Sequence, residues 1–313
     1  MTLIRGLHHV TATADDAQAD LDFFARDLGL RLVKKTVNFD NPGVYHFYYG
    51  DEAGTPGSIW TTFPYRDMGV PTGIKGAGQV TTTSFSVPEG SLDGWRARLR
   101  ERRIPVTDRE TGFGEEAITV HDLSGMVFDL VANKRDKRAP WKSGGVPVGQ
   151  AVRGIHSVTL TVRDPQPTID FLTQVLGLKV VNEAPGRTRL GVGVDDEPGK
   201  TVEVVAAPEA PAAKNGLGTV HHVAFAVDNG DDQLKLRGEL VKLGRQVTEV
   251  LDRQYFRSIY FREPGGILYE VATVPPGFGV DEAPADLGKG LKLPPWEEPR
   301  REKIESMLPT VTY

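Results

Sequence analysis

The sequence contains no cysteine among its 313 residues. Disulfide bonds, cysteine nucleophiles and thiolate metal ligands are therefore excluded, and any bound metal must use histidine and carboxylate side chains. Lysine and arginine number 37 against 42 aspartates and glutamates, so no basic excess favours nucleic acid. No apolar run approaches the roughly 20 residues that span a bilayer. We expect a cytoplasmic protein with neither a nucleic-acid nor a membrane partner.

Histidine is the next scarce residue, and its distribution along the chain is uneven. The chain has 7 histidines, and 4 of them form the doublets His8–His9 and His221–His222. Each doublet lies in a run of alternating, β-branched residues, GLHHVTAT or TVHHVAFAV, that predicts a β-strand. The doublets are therefore the first candidates for a functional site.

The sequence also repeats itself. Residues 8–33 and 156–181 align without a gap at an offset of 148, and each segment ends in a predicted helix followed by a glycine, Gly29 or Gly177. Related patterns begin at the runs TTTSFSV and HHVAFAV, so the chain contains four units of predicted order βαβββ. A linker rich in lysine, glycine and proline, residues 134–149, separates the first two units from the last two.

These boundaries predict two domains and a tail. We expect an N-terminal domain of two units over residues 1–140, a C-terminal domain of two units over residues 150–275, and a tail over residues 276–313 with a short helix. The alternation of strands and helices within each unit predicts the α+β class.

A chain of four βαβββ units resembles the vicinal oxygen chelate superfamily, which includes glyoxalases, bleomycin-resistance proteins and extradiol ring-cleaving dioxygenases. The resemblance covers nearly the whole chain. It implies that paired units form curved mixed sheets that enclose a metal ion. It also implies that the metal ligands come from the first and last strands of a unit.

Only two of the four units offer imidazole at those positions. In chain order, the first- and last-strand positions are His9 and Trp60, Thr82 and Asp129, Ser157 and Glu203, and His222 and Glu270. Units 2 and 3 supply hydroxyls and carboxylates without imidazole, which makes a poor transition-metal site. We therefore predict that unit 1 pairs with unit 4 around a metal bound by His9, His222 and Glu270. Unit 2 must then pair with unit 3, and we expect Glu203 to be a buried or paired carboxylate.

Strand geometry distinguishes the two members of each doublet. Neighbouring side chains of a strand point to opposite faces, so only one histidine of each doublet can face the metal squarely. Alignment with the superfamily selects His9 and His222. We expect His8 and His221 to face away or to lie at the rim, where they could transfer protons. We expect structural roles for the remaining histidines, His46, His121 and His156.

Two histidines and one carboxylate leave coordination positions open, which is the facial triad typical of non-haem Fe(II) enzymes that use dioxygen. Glyoxalase I of the superfamily has four protein ligands, and Trp60 at the fourth position cannot ligate a metal. Two alternatives remain open from the residues. They are a metal-dependent lyase or isomerase of the glyoxalase type, and a resistance protein that binds quinones or drugs. The triad also accepts Mn²⁺, Zn²⁺ or Ni²⁺.

Two long motifs narrow the resemblance. Residues 7–64 and the stretch DRQYFRSIYFREPGGILYEVAT, residues 252–273, are similar to the N- and C-terminal motifs of the hydroquinone ring-cleaving dioxygenases. This resemblance implies Fe(II) on the predicted triad, O₂ as co-substrate and a hydroquinone or catechol-like diphenol as substrate. It also implies a surrounding catalytic shell of His8, Thr11, His221, Arg253 and Tyr260. The oligomeric state stays open, and a homo-oligomer is compatible with the sequence.

Overall fold

Each predicted unit forms one strand, one helix and three further strands in the computed structural model, which describes residues 3–193 and 195–313. Unit 1 consists of β1 (Gly6–Ala14), α1 (Ala17–Leu21) continued by a π-helix (Asp22–Asp27), β2 (Arg31–Asn38), β3 (Asn41–Gly50) and β4 (Ile59–Pro64). Unit 2 consists of β5 (Gln79–Pro88), α2 (Leu92–Glu101), β6 (Val106–Glu110), β7 (Glu116–His121) and β8 (Val127–Asn133). Unit 3 consists of β9 (Gly154–Val162), α3 (Gln166–Gln174), β10 (Lys179–Ala184), β11 (Arg187–Gly191) and β12 (Thr201–Ala206). Unit 4 consists of β13 (Thr219–Val227), α4 (Gly230–Lys242), β14 (Leu251–Asp252), β15 (Arg257–Arg262) and β16 (Leu268–Thr273).

The strands form two eight-stranded mixed sheets. Sheet 1 has the order β14-β15-β16-β13-β1-β4-β3-β2, and sheet 2 has the order β10-β11-β12-β9-β5-β8-β7-β6. The antiparallel pair β1/β13 joins unit 1 to unit 4, and the antiparallel pair β5/β9 joins unit 2 to unit 3. The predicted α+β class and the predicted pairing of units are therefore confirmed. Each half of the chain contributes one unit to each sheet.

Local sequence explains how some of the helices begin or end. The Asp16 side chain caps α1 by accepting a hydrogen bond of 2.7 Å from the backbone N–H of Ala19. Gly29 and Gly177 follow the helices of units 1 and 3 with φ angles of 71° and 74°, the left-handed conformation expected from the sequence.

An aromatic contact joins the two sheets: the ring of Trp60 in sheet 1 lies 4.9 Å from that of Phe128 in sheet 2.

β-bulges interrupt the two central strands of sheet 1 at the histidine doublets. The register of β1 shifts immediately before His9, which makes His8 the extra residue of that strand. The register of β13 shifts immediately before His222, which makes His221 the extra residue. A bulge rotates the side chains beside it and breaks the alternation of a regular strand. The doublets therefore do not follow simple strand geometry.

The tail crosses the edge of sheet 1. It contains the predicted short helix, α5 (Arg301–Met307), and three short 3₁₀ turns, Phe278–Val280, Pro284–Asp286 and Glu298–Arg300. Lys34 of β2 is fully buried and pairs with Asp281, at 2.6 Å, and with Glu282. A buried ammonium group is stable only when it is paired, so these contacts fix the tail to the sheet. Within the described ranges, no helix is long and apolar enough to cross a membrane.

Candidate metal centre and its cavity

Three side chains from three adjacent strands of sheet 1 converge on one point. The Nε2 atoms of His9 and His222 lie 3.3 Å apart, and Glu270 Oε2 lies 3.3 Å from the first and 2.8 Å from the second. All three residues are buried, with exposed fractions of 2%, 5% and 0% in that order. They form the one group of histidine and carboxylate side chains among residues 3–193 and 195–313 that could hold a metal ion.

The spacing of these atoms fits metal ligation better than hydrogen bonding. Glu270 Oε2 is buried and, within the part of the chain that the structure describes, has no partner in hydrogen-bonding geometry, although the two imidazoles are close to it. Ligand atoms held at right angles about 2.1 Å from a metal are about 3.0 Å apart. The observed separations, 2.8 to 3.3 Å, bracket that value. The Ser258 hydroxyl donates to the other carboxylate oxygen, Oε1, and so fixes the orientation of the carboxylate.

The two imidazoles also determine the charge of the carboxylate. Burial alone would raise the pKa of Glu270, but the adjacent His9 and His222 hold that pKa well below its ordinary range. Burial lowers the pKa of His222, so its ring is available as a neutral ligand. The site therefore contains one buried negative charge and a neutral imidazole next to it, which favours a divalent cation.

The first histidine of each doublet lies against the second. His8 Nδ1 is 2.9 Å from His9 Nδ1, and His221 Nδ1 is 2.8 Å from His222 Nδ1. Regular alternation did not predict these contacts, and the bulges explain them. His221 lines the cavity over the metal centre, and His8 instead lines a separate cleft on the other side of the Phe256 ring. Burial is the main cause that lowers the pKa of both His8 and His221 to about 3, so both rings are neutral.

A cavity of about 600 Å³ opens over the three converging side chains. Four of the five predicted shell residues line it, and His8 does not. The lining residues outside the triad are Thr11, Thr13, Asn38, Phe39, Asp40, His46, Tyr48, Phe63, Tyr65, Val70, Asn215, Gly216, His221, Thr248, Leu251, Arg253, Phe256, Tyr260 and Leu268. The exposed surface of this wall is mostly apolar, and polar side chains lie among the aromatic and aliphatic ones, as is typical of a pocket for a small aromatic ligand.

Arg253 and Tyr260 form one polar cluster on the cavity wall. Arg253 Nε donates to the Tyr260 hydroxyl at 3.2 Å, and its Nη2 pairs with Asp40 Oδ2 at 3.1 Å. Burial and the nearby Glu270 raise the pKa of Tyr260 above its ordinary value, so the hydroxyl stays protonated. The partner of Arg253 lies 213 positions away in the sequence, which is why sequence patterns did not identify Asp40.

The sequence assignment of the fourth ligand position is wrong by one residue. In unit 4, Glu270 of β16 lies opposite Ala224, two residues after His222; the matching pair in unit 1 is Thr11 and Thr61. Thr61 therefore occupies the fourth position, and Trp60 points into the core on the other face. The Thr61 hydroxyl contacts Thr11 Oγ1 and His46 Nε2, each at 2.9 Å. The conclusion that three strong ligands are present is unchanged.

We expected a structural role for His46, but its side chain reaches the cavity over the metal centre. Its ring lines the cavity between Tyr48 and Phe63, with ring centroids 4.0 and 4.2 Å away. Two-residue periodicity in the run VYHFYYG places His46 and Tyr48 on the same face of β3. Identifying the face that turns toward the metal would therefore have revealed His46.

The equivalent positions in sheet 2 contain ion pairs. Glu203, which corresponds to Glu270, pairs with Arg187 and, at 2.7 Å, with Arg189. Asp129 pairs with Arg109 at 2.8 Å. The paired state expected for Glu203 is confirmed. His156 also contacts a carboxylate, that of Glu115, at 3.1 Å, as a structural histidine would.

Comparison with known sequences defines the class of this protein. Residues 154–271 match the glyoxalase/bleomycin resistance protein/dioxygenase superfamily. The chain is 42% identical over 304 residues to MhqE of Bacillus subtilis, assigned as a ring-cleaving dioxygenase, covering 97% of this chain and 98% of the relative. It is 37% identical over 309 residues to the chlorohydroquinone/hydroquinone 1,2-dioxygenase of Sphingobium indicum, covering 96% of this chain and 95% of the relative. The chain therefore belongs to this superfamily and, within it, to the family that these ring-cleaving dioxygenases represent.

Solved structures agree with that placement. A crystal structure of a protein from Bacillus subtilis, assigned as a dioxygenase, superposes with a TM-score of 0.94 at 39% identity and covers 100% of this chain and 99% of that chain. Glyoxalase I from Zea mays superposes with a TM-score of 0.63 at 14% identity, covering 86% of this chain and 92% of that chain. The second likeness shows a shared fold and nothing more.

Proposed function

We propose that this protein is an Fe(II)-dependent dioxygenase that opens the ring of a hydroquinone or a catechol-like diphenol with O₂. The observation that carries the proposal is the buried cluster of His9, His222 and Glu270 beneath a cavity whose surface is mostly apolar. The named activity of the Sphingobium indicum relative supports the choice of substrate class. Thr61 at the fourth position supports three protein ligands, because a hydroxyl that already has two partners is a weak ligand.

Fe(II) bound here would acidify a coordinated phenol and exchange electrons with dioxygen. The residues of the chain prepare that site through hydrogen bonds. A neutral imidazole that binds a metal through Nε2 must carry its proton on Nδ1. In each doublet, that Nδ1–H then donates to the Nδ1 atom of the preceding histidine, His8 or His221, which must hold its own proton on Nε2.

The two preceding histidines then have different tasks. His221 lines the cavity, so its Nε2–H can donate to an oxygen of a bound diphenol. His8 faces the other cleft and acts only through His9. Tyr260, held by Arg253, is a second donor on the cavity wall and is suited to the other oxygen of the substrate. The aromatic side chains of the wall exclude water from the ring.

Oxygen consumption tests the proposal. The protein is reconstituted anaerobically with Fe(II), its metal content is measured, and oxygen uptake is followed with hydroquinone, chlorohydroquinone and catechol. We expect one iron per chain and uptake with at least one diphenol, with both atoms of ¹⁸O₂ recovered in a ring-opened product. The variant His9→Ala is the control and is expected to lose metal and activity together. An iron-loaded protein that consumes no oxygen with any of these diphenols overturns the proposal.

A further inference from the structure

In unit 1, two side chains of the cavity wall are linked by hydrogen bonds through one buried hydroxyl. His46 and Thr11 both line the cavity, and Thr61, which is fully buried, lies between them. His46 Nε2 is 2.9 Å from Thr61 Oγ1, and Thr61 Oγ1 donates to Thr11 Oγ1 over 2.9 Å. Each threonine hydroxyl has a single hydrogen, so the three groups are not independent.

The direction of these hydrogen bonds determines what Thr11 offers to a ligand. Because Thr61 gives its hydrogen to Thr11, it must accept from His46, which therefore carries its proton on Nε2. Thr11 accepts from Thr61, so its own hydrogen is free for the cavity. If these hydrogen bonds ran in the opposite direction, a lone pair of Thr11 Oγ1 would face the ligand instead. A metal-bound phenolate oxygen is an acceptor, and it fits only the first arrangement.

The surroundings of His46 fix the position of its ring beside Thr61. Tyr48 and Phe63 pack on it from two sides, with ring centroids 4.0 and 4.2 Å away. Burial lowers the pKa of His46 well below its ordinary value, so the ring is neutral and has one N–H. Within the described ranges no hydrogen-bond partner contacts its Nδ1 atom.

We propose that His46, through Thr61, orients the Thr11 hydroxyl as a hydrogen-bond donor to the phenolate oxygen of a metal-bound diphenol. His46 is thus a positioning residue that tunes binding and ionisation of the substrate, and it does not bind the metal. This inference rests on the proposed function for the identity of the ligand. The hydrogen-bonded chain itself rests only on the distances among the three side chains.

The test uses 4-nitrophenol, whose phenolate absorbs visible light, and the protein loaded with Zn(II) in place of Fe(II). Titrations at several pH values give the dissociation constant and the apparent pKa of the bound phenol. We expect Thr11→Val to weaken binding by roughly tenfold or more, as for a lost hydrogen bond to a charged group. His46→Leu and Thr61→Val should each weaken it about fivefold and raise the apparent pKa of the bound phenol, since the donor is then no longer oriented.

Two further variants separate positioning from packing. His46→Gln keeps an N–H near the position of Nε2 and should restore wild-type binding. Thr83→Val is the matched control, since the Thr83 hydroxyl is buried in sheet 2 without a partner in the described structure, and its binding should be unchanged. Thr61→Val, which removes only a hydroxyl, keeps the test valid if His46→Leu fails to fold.

We call the hydrogen-bonded series His46–Thr61–Thr11 the relay. The test distinguishes a failure of the relay from a failure of the proposed dioxygenase activity. Equal affinity and equal apparent pKa of 4-nitrophenol in wild type, His46→Leu and Thr61→Val would overturn the relay, even if diphenols are turned over. Loss of zinc from Thr61→Val would overturn it too, because the relay acts on the ligand. The expected order of affinities in a protein that consumes no oxygen would support the relay and overturn the dioxygenase.

Discussion

The doublets lead to a prediction about His8 and His221 that distinguishes two effects on catalysis. Replacing either residue with alanine removes the acceptor for the Nδ1–H of a metal-binding histidine. Such supporting contacts are worth about 10- to 100-fold in metal affinity, or roughly 1.4 to 2.7 kcal/mol. Both variants should therefore bind metal more weakly than wild type.

The burial of the replaced histidine determines which of the two variants loses more metal affinity. The His8 ring is 2% exposed, packs against Phe256 at 4.9 Å and borders a smaller cleft than the cavity beside His221, so water is less able to replace it as the acceptor for His9. We expect His8→Ala to lose metal affinity near the upper end, about 100-fold. His221 lies at the open cavity, where water can replace its Nδ1 atom. We expect His221→Ala to lose only about tenfold.

Turnover at saturating metal should rank the variants in the opposite order. His221 is expected to contact the substrate through Nε2, so His221→Ala should lose roughly 100-fold in kcat, the scale for a positioned proton donor or acceptor. His8 faces the other cleft, and His8→Ala should then retain most of its turnover. His8→Asn places an amide oxygen near the position of Nδ1 and should recover much of the metal affinity.

Competition with a coloured chelator under anaerobic conditions measures metal affinity, and oxygen uptake at saturating Fe(II) measures turnover. Wild-type metal affinity in both alanine variants would refute the assignment of the doublets as ligand and acceptor. Equal losses of turnover in the two variants at saturating metal would refute the difference derived from the cavity and the cleft.

Three other substitutions test buried polar side chains. His9→Ala should abolish metal binding and leave far-UV circular dichroism nearly unchanged, because the sheet contacts persist; unfolding would contradict this. Lys34→Met should leave Asp281 and Glu282 uncompensated and lower the free energy of unfolding in urea by about 3 to 5 kcal/mol; an unchanged value would show that this ion pair does not stabilise the fold. Burial raises the pKa of Asp20 to about 7, well above its unfolded value near 4, so the folded state holds the extra proton and stability should fall as pH rises from about 4 to 7. Asp20→Asn should flatten this slope in urea unfolding at pH 5 and 8, and an unchanged slope would show that other groups cause it.

The fold and the convergence of His9, His222 and Glu270 could be predicted because their sequence signals recur along the chain. Internal repeats revealed four units, and the restriction of imidazole to two of them required the pairing of unit 1 with unit 4. Bulges leave no comparable trace, since they are a property of how two strands pair. The contacts of His8 and His221 have this cause. The error at Trp60 is a separate one-residue misalignment of the last strand of unit 1, and such a shift exchanges the faces of a strand.

Contacts between residues that are far apart in the sequence could not be predicted either. Asp40 has no motif that identifies it as the partner of Arg253, and the role of His46 depends on Thr61 in the adjacent strand. Each residue is unremarkable in its own segment. Only the curvature of sheet 1 brings these side chains to the wall of the same cavity.

The two sheets surround an equivalent buried carboxylate differently, which is the reason to propose a metal in only one of them. Glu203 and Glu270 occupy equivalent buried positions, and a buried carboxylate requires a compensating cation. In sheet 2 the guanidinium groups of Arg187 and Arg189 provide that charge. In sheet 1 the ion-pair contacts of Glu270, among residues 3–193 and 195–313, are with the imidazoles of His9 and His222, which offer ligand atoms to a metal, and no guanidinium or ammonium group pairs with it there. The same fold position is thus neutralised by arginine in one sheet, and we propose that a divalent metal ion neutralises it in the other.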